Sequence, residues 1–155
     1  MTDRIVFHET LGEAVITWQG METGLFMLAF MLGEKDLTAT AEAFYQETAG
    51  VQLDIADAVC RKRLPGDHGW PLLHARIKSL IGVRNLIVHS NLVETKEGLA
   101  LSEPMWFRTT GAVETLDINE IRDFIRTVRN VYADLQAFTV KHGKSRRARW
   151  SQLPG

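Results

Sequence analysis

The amino-acid sequence predicts a mainly α-helical domain: a bundle of four or five helices with a small β-hairpin or meander inserted before the last helix. Two long stretches, about 11–32 and 118–141, repeat apolar residues at three- and four-residue steps. That spacing gives a helix one apolar face. Over about 92–116 the pattern changes to short runs around turn residues, which is typical of strands and hairpins.

The first helix is predicted over about 11–32. Thr10 and Glu13 have the spacing of a capping box, in which each side chain accepts a hydrogen bond from a backbone N–H of the first turn. We therefore place the start of the helix directly after Thr10. Its expected buried stripe is Leu11, Val15, Trp18, Leu25, Leu28, Ala29 and Leu32.

Two shorter helices are predicted next. The second covers about 38–48, contains Ala41, Phe44 and Tyr45, and ends before Gly50. The third covers about 51–62, and its apolar residues recur at helical spacing, so they are expected to face the core: Val51, Ile55, Ala58 and Val59.

A loop marked by Pro65-Gly66 separates the third helix from the fourth. The fourth helix is predicted to begin near Trp70-Pro71, because proline is tolerated in a first turn, and to end at about His89. Its expected apolar face is Leu73, Ile77, Leu80, Ile81, Leu86, Ile87 and Val88.

The β element is predicted as a hairpin of 92–95 and 99–102 around Lys96-Glu97-Gly98, with further strand at 105–108 and 112–115. Asp117 and Glu120 form a second capping signature that opens the last helix, about 118–141. The apolar stripe expected on that helix is Ile118, Ile121, Phe124, Ile125, Val128, Val131, Tyr132, Leu135 and Phe138.

Length and composition indicate one soluble domain over 1–143, with the β insertion at about 92–116 and a basic, flexible tail at 144–155. No apolar run approaches the roughly 20 residues needed to span a bilayer, and the N-terminus lacks signal-peptide features. The expected location is therefore cytoplasmic, without membrane association. The single Cys60 excludes an intrachain disulfide and is expected in the core.

The distribution of charge limits the classes of partner. Five of the 18 basic residues lie in 141–155, which has no acidic residue, whereas the first 140 residues carry 13 basic and 19 acidic residues. A uniformly basic nucleic-acid-binding surface is excluded, so any RNA contact must use local positive patches. The histidines and Cys60 show no metal-ligand spacing, so no metal and no cofactor are expected.

The strongest candidate site is Arg84-Asn85-Leu86-Ile87-Val88-His89, at the end of the predicted fourth helix. An Arg guanidinium binds phosphate with several donors, and an imidazole moves protons near neutral pH. Asn85 and His89, four residues apart, share a helix face. Arg63 and His68 have the same spacing as Arg84 and His89, but Pro65-Gly66 lies between them, so they have no fixed mutual geometry.

The run Arg84-Asn85-Leu86-Ile87-Val88-His89-Ser90 at the end of a long helix, within a helical bundle, resembles the signature of the HEPN superfamily. The resemblance implies a homodimer whose two motifs form one composite site at the interface, and metal-independent cleavage of RNA. By position, Arg84 would stabilise the scissile phosphate, His89 would act as acid or base, and Asn85 would orient them. The β insertion departs from the minimal bundle of that family.

Two functions follow from the resemblance. One is an endoribonuclease that cleaves RNA by 2′-OH attack, as a toxin or phage-defence effector with a possible cognate antitoxin protein. The alternative is a non-catalytic module that binds RNA, a nucleotide or a protein partner, which the β insertion favours. In either case Ser90, Arg61 and Arg63 are candidates for substrate binding, because they lie in the motif or in a basic cluster.

Overall fold

The computed structural model describes residues 4–104 and 115–143. These residues form five helices: α1 Arg4–Leu32, α2 Leu37–Tyr45, α3 Ala49–Arg63, α4 Gly69–His89 and α5 Ile118–His142. Three strands of the described chain lie between α4 and α5: β1 Asn91–Thr95, β2 Gly98–Ser102 and β3 Thr115–Asp117. The predicted class, mainly helical with a small antiparallel sheet before the last helix, is confirmed.

Contacts within the chain group the described residues into two compact units. Unit 1 takes its residues from Met1–Gln19 and Ser79–Arg129, and unit 2 from Gly20–Lys78 and Asn130–Gly155. The sheet lies in unit 1, and α2 and α3 lie in unit 2. Helices α1, α4 and α5 each contribute residues to both units.

The sheet of unit 1 has the antiparallel order β1-β2-β3. Thr95 pairs with Gly98 across a two-residue turn, and Gly98 has a φ of 126°, which an L side chain rarely adopts. The predicted hairpin is therefore confirmed. The predicted strand at 105–108, most of the one at 112–115 and the basic tail at 144–155 lie outside the described residues.

Unit 1 is held by apolar side chains from α1, the sheet and α5. The rings of Trp18 and Phe124 stack with centroids 6.2 Å apart, and β2 contributes the buried Leu101. At the surface, Arg129 Nη2 lies 2.6 Å from Glu13 Oε1. An exposed ion pair of this kind adds at most about 1 kcal/mol, so apolar burial supplies most of the stability of this unit.

The predicted start of α1 is wrong. The helix begins at Arg4, and Thr10 is buried inside it, where its hydroxyl donates to the Val6 carbonyl at 2.8 Å. The additional turns bury Phe7 completely. Val15, expected in the buried stripe, is 41% exposed.

The predicted start of α5 is confirmed as a reciprocal cap. Asp117 Oδ1 accepts hydrogen bonds from the backbone N–H groups of Asn119 and Glu120, both at 2.8 Å. Glu120 Oε2 accepts from the Asp117 N–H at 2.8 Å. Three backbone donors at the helix start are thus satisfied by two carboxylates, which also suit the positive end of the helix dipole.

In unit 2 the predicted apolar face of α3 is not the buried one. The face that packs inward consists of Ala49, Gln52, Leu53, Ala56 and Cys60. Gln52 is accommodated there because its Nε2 donates to the Phe44 carbonyl at 3.3 Å, so one of its polar atoms is satisfied without water. Val51 is exposed, and so is Tyr45 of α2.

Asp67 organises the start of α4. Its Oδ1 accepts from the backbone N–H groups of Gly69 at 2.8 Å and Trp70 at 3.0 Å. Its Oδ2 lies 3.5 Å from His142 Nε2. The backbone hydrogen bonds, that of Trp70 first, lower the pKa of Asp67 below its ordinary value of 3.8, and the charges of His142 and Lys141 act in the same direction.

We expect Asp67→Ala to lower the free energy of unfolding by about 1 kcal/mol at neutral pH, as for the loss of a helix cap. Because the folded-state pKa is lowered, the Asp67 contribution is present above the unfolded-state pKa and is lost as the pH falls through the folded-state value. Urea unfolding from pH 7 to pH 3 should therefore show the difference from wild type shrinking in acid. Asp54→Ala, at an exposed site on α3, is the control. A difference that stays constant with pH would contradict this account.

Gly24 allows α1 to approach α5 in unit 2. A Cβ at this position would lie 2.8 Å from Tyr132 Cε2 and 3.0 Å from Leu135 Cδ2. A Cβ at Gly20, one turn earlier on the same helix, would meet nothing within 4 Å. Both glycines lie inside α1, but only a side chain at Gly24 would collide with α5.

We expect Gly24→Ala to lower the free energy of unfolding by about 1–3 kcal/mol, since the added methyl group overpacks a helix contact. Gly20→Ala should instead raise it by up to about 1 kcal/mol through helix propensity. Denaturant unfolding of the two variants measures both effects. Equal shifts in the same direction would refute the close approach at Gly24.

By length and composition alone, α1 passes a test for a membrane-spanning helix, the only described helix that does. In the structure, 56% of that apolar window is buried inside the protein. A core helix of a soluble protein has these properties. We therefore interpret α1 as a core helix.

Candidate functional site

Arg84, Asn85 and His89 lie in the last turns of α4, in unit 1. Ile87, between them, is buried and attaches this part of the helix to the core. The side chains of Asn85 and His89 are exposed, and that of Arg84 is half-buried. This agrees with the sequence expectation that Asn85 and His89 share a face, because residues four apart on a helix are neighbours.

Arg84 and Asn85 are in direct contact. Arg84 Nη1 donates to Asn85 Oδ1 at 3.2 Å. From the face that it shares with His89, Asn85 could hydrogen-bond His89 or donate to a phosphate, and in the structure its Oδ1 also accepts from the Arg84 guanidinium. Arg84 and His89 are five residues apart, about 140° around the helix axis. For both to contact one phosphate, the long Arg84 side chain must therefore extend toward the face that carries His89.

Ser90 directly follows α4 and is half-buried. Its backbone N–H donates to the Leu86 carbonyl at 2.9 Å, so the helical hydrogen bonding extends to Ser90. The sheet begins at the next residue, Asn91. The motif is thus placed at the junction of α4 and β1, two rigid elements.

The sheet leaves the exposed part of the motif accessible. With β1, β2 and β3 in place, Asn85 and His89 remain exposed to solvent. Burial of these side chains beneath the hairpin would have argued against contact with RNA. In the part of the chain that the structure describes, neither side chain is buried in this way.

The basic cluster at the end of α3 belongs to unit 2 and is engaged by carboxylates. Arg61 Nε lies 2.7 Å from Asp57 Oδ2, and Arg63 Nη2 lies 3.2 Å from Glu34 Oε1. Burial opposes ionisation of Asp57, but hydrogen bonds from Trp70 and Arg61 outweigh it, so the pKa of Asp57 is lowered. A role of Arg61 and Arg63 in binding RNA stays a prediction.

Cys60 and metal chemistry do not add a second site in the described residues. Burial, with the negative charges of Asp57 and Asp67, raises the pKa of Cys60 to about 12. Since the thiolate is the nucleophilic form, Cys60 is a core residue, as the sequence predicted. Among the residues that the structure describes, no group of three or more His, Cys, Asp or Glu could hold a metal ion.

Unit 1 also exposes large apolar side chains that sequence reasoning missed. Ile5 is 64% exposed, Ile16 69% and Val88 46%. Val88 was expected on the buried face of α4 and is adjacent to His89. The described residues of unit 2 expose large apolar side chains as well, among them Leu72 at 70%, so exposure alone does not mark an interface on unit 1.

The arrangement supplies a cation, an amide and an exposed imidazole on one rigid helix end. Such groups can bind an anion and exchange a proton with it. Comparisons of the chain with models of known families, with curated proteins and with solved structures found no match.

Proposed function

We propose that the protein is a metal-independent endoribonuclease of HEPN type. The observation that carries the proposal is the placement of Arg84, Asn85 and His89 on the final turns of a packed helix, with the Asn85 and His89 side chains exposed. A site on a rigid element holds its groups in a fixed geometry, which catalysis by positioning requires. The resemblance of the sequence motif supplies the reaction class.

The proposed reaction is an internal transfer on RNA. The ribose 2′-OH attacks the adjacent phosphorus, the bond from phosphorus to the 5′ oxygen breaks, and the products are a 2′,3′-cyclic phosphate and a 5′-hydroxyl. The proton leaving the 2′-OH goes to a base, and an acid delivers one to the 5′ oxygen. DNA lacks the 2′-OH nucleophile and is therefore not a substrate.

Each residue of the motif has a role in that reaction. The Arg84 guanidinium neutralises charge that develops on the phosphate oxygens, and Asn85 holds it in position through the 3.2 Å hydrogen bond. The His89 imidazole transfers a proton to or from the reacting oxygens. Ser90, at the junction with β1, is a proposed contact for the rest of the substrate, and so are Arg61 and Arg63 of unit 2.

The resemblance implies a homodimer, and the proposed chemistry agrees with one. Cleavage needs one proton removed and another delivered, and a single imidazole is either base or acid at a given moment. Two copies of His89 facing each other across a two-fold axis would supply both functions, and such axes are the commonest in homo-oligomers. The exposed Ile5, Ile16 and Val88 of unit 1 provide apolar surface for this interface.

The expected setting is cytoplasmic, as a toxin or phage-defence effector held inactive by a cognate antitoxin protein. This part of the proposal depends on the resemblance alone. It agrees with the burial of α1 as a core helix. Co-purification with a small protein encoded nearby would be the corresponding observation.

The test is incubation of the wild-type protein with a mixed RNA pool in EDTA, followed by analysis of the 3′ ends of the products. We expect fragments that end in 2′,3′-cyclic phosphate, and no cleavage of DNA of the same sequences. Size-exclusion chromatography with light scattering should give a dimer. Cleavage that requires added metal, or that leaves a 3′-hydroxyl, would contradict the proposed reaction.

A second candidate function is a non-catalytic module that binds RNA, a nucleotide or a protein partner. The observation that favours it is the three-stranded sheet that follows the motif directly, which a minimal bundle does not have. Absence of cleavage by a folded dimer, together with RNA binding that weakens in Arg84→Ala, would support this function over the first.

A further inference from the structure

Unit 2 contains a cavity of about 310 Å³ between the end of α1, α2 and α3. This volume is at the lower end of the range for pockets that bind small molecules. Apart from Thr40, the uncharged residues that line it are small or aliphatic and include Ala29, Leu32, Ala43, Ile55, Ala58 and Val59. The hydroxyl of Thr40 donates to the Asp36 carbonyl at 2.7 Å, so it is already satisfied within the protein.

The cavity explains the apolar residues of α3 that do not face the core. Ile55, Ala58 and Val59 have the helical spacing of a buried stripe, but they line this cavity. Apolar side chains around an open cavity are stabilised when an apolar ligand displaces the water there. The apolar stripe of the sequence thus forms one wall of the cavity.

The charged residues that line the cavity make its solvent-exposed side, called the mouth here, cationic. They are three basic residues, Lys35, Lys62 and Arg63, and one acidic residue, Glu34, and all four are exposed. Glu34 Oε1 accepts from Lys62 Nζ at 3.1 Å and from Arg63 Nη2 at 3.2 Å. The hydrogen bond and charge of Lys62, with the charge of Arg63, lower the pKa of Glu34, so one carboxylate already occupies part of a site that suits carboxylates.

The combination selects one class of ligand. A nucleotide would bury the polar groups of its base and ribose against aliphatic walls that offer them no hydrogen bonds, which is costly. A cationic ligand would be repelled at the mouth, since the charge there is positive. A molecule with a short aliphatic chain and one anionic end has no such conflict.

We infer that unit 2 binds a small amphipathic carboxylate of medium-chain fatty-acid type, with its chain in the cavity and its carboxylate at Lys35, Lys62 and Arg63. The aliphatic chain replaces water along Ile55, Ala58 and Val59. The carboxylate shares the mouth with Glu34 and accepts hydrogen bonds from the basic side chains. The site uses none of Arg84, Asn85 and His89, and it shares Arg63 with the proposed RNA contacts.

The test is titration of the full chain with sodium octanoate, followed by the methyl resonances of Leu32, Ile55 and Val59. We expect saturable shifts concentrated at these three residues. Octan-1-ol, which has the same chain without charge, should bind more weakly, and octylammonium should bind more weakly still. Equal binding of the alcohol and the carboxylate would overturn the role of the cationic mouth, and non-saturating shifts would overturn the site.

Substitutions test the apolar lining of the cavity and its charged mouth separately. Ala58→Trp fills the cavity from an exposed position and should abolish the saturable shifts, whereas Ala137→Trp, at an exposed site on α5, should leave them unchanged. Lys62→Gln should lower the affinity for octanoate by about 2- to 5-fold, as for the loss of an exposed ion pair. Glu34→Gln should raise that affinity by a similar factor. Retention of binding in Ala58→Trp, or the opposite sign in Glu34→Gln, would refute the inference.

Discussion

Replacement of His89 by alanine is expected to slow RNA cleavage by at least about 100-fold, the contribution typical of a positioned general acid or base. The side chain is exposed at the end of α4, so its removal should change the free energy of unfolding by no more than about 0.5 kcal/mol. The loss would therefore be chemical and not a consequence of unfolding. The measurement is the initial rate of cyclic-phosphate formation, at equal concentrations of folded dimer.

His68→Ala is the matched control for this prediction. His68 is also exposed and follows Arg63 at the same spacing by which His89 follows Arg84. It lies in the loop between α3 and α4, where the spacing has no fixed geometry. We expect this variant to retain the wild-type rate. Equal losses in the two variants would mean that the helical placement of the motif is irrelevant.

Arg84→Ala and Asn85→Ala extend the test to the positioning of the guanidinium. Removal of Arg84 should reduce the rate by a factor similar to that for a lost transition-state donor, about 100- to 1000-fold. Asn85→Ala leaves the guanidinium present but removes the acceptor 3.2 Å from its Nη1, so a smaller loss is expected. A larger loss in Asn85→Ala than in Arg84→Ala would assign the chemistry to the amide.

The sequence was sufficient to locate the candidate site but not to describe its contacts. The spacing of Asn85 and His89 predicts a shared face, and the structure places both on the exposed side of α4. Whether Asn85 pairs with His89 or with Arg84 depends on side-chain conformations that packing decides. The pairing with Arg84 therefore emerged only from the structure.

Helix boundaries were predicted well where local and tertiary signals agree. At α5, the Asp117 cap and the apolar stripe begin together, and the structure has a reciprocal cap at that position. On α3, the apolar stripe and the buried face differ, because Gln52 finds a hydrogen-bond partner inside and Ile55 lines a cavity. Periodicity identifies apolar faces, but it does not determine what covers them.

The start of α1 shows why a local signal can be overridden. A capping box at Thr10 is worth about 1 kcal/mol, whereas full burial of a Phe side chain is worth about 1.5–3 kcal/mol. Extending the helix to Arg4 buries Phe7 completely and still gives the Thr10 hydroxyl an acceptor at Val6. The larger gain determines the boundary.

Phe7→Ala is therefore expected to lower the free energy of unfolding by about 3–5 kcal/mol, the cost of removing a buried aromatic side chain and leaving a cavity. His8→Ala, at the next and exposed position, should change it by no more than about 0.5 kcal/mol. Chemical denaturation of both variants, followed by circular dichroism, measures the difference. A small effect of Phe7→Ala would contradict the full burial of Phe7, and with it the free-energy gain that offsets the lost cap. A large effect would show that burial of Phe7 outweighs the roughly 1 kcal/mol of a capping box, which is the balance that favours the longer helix.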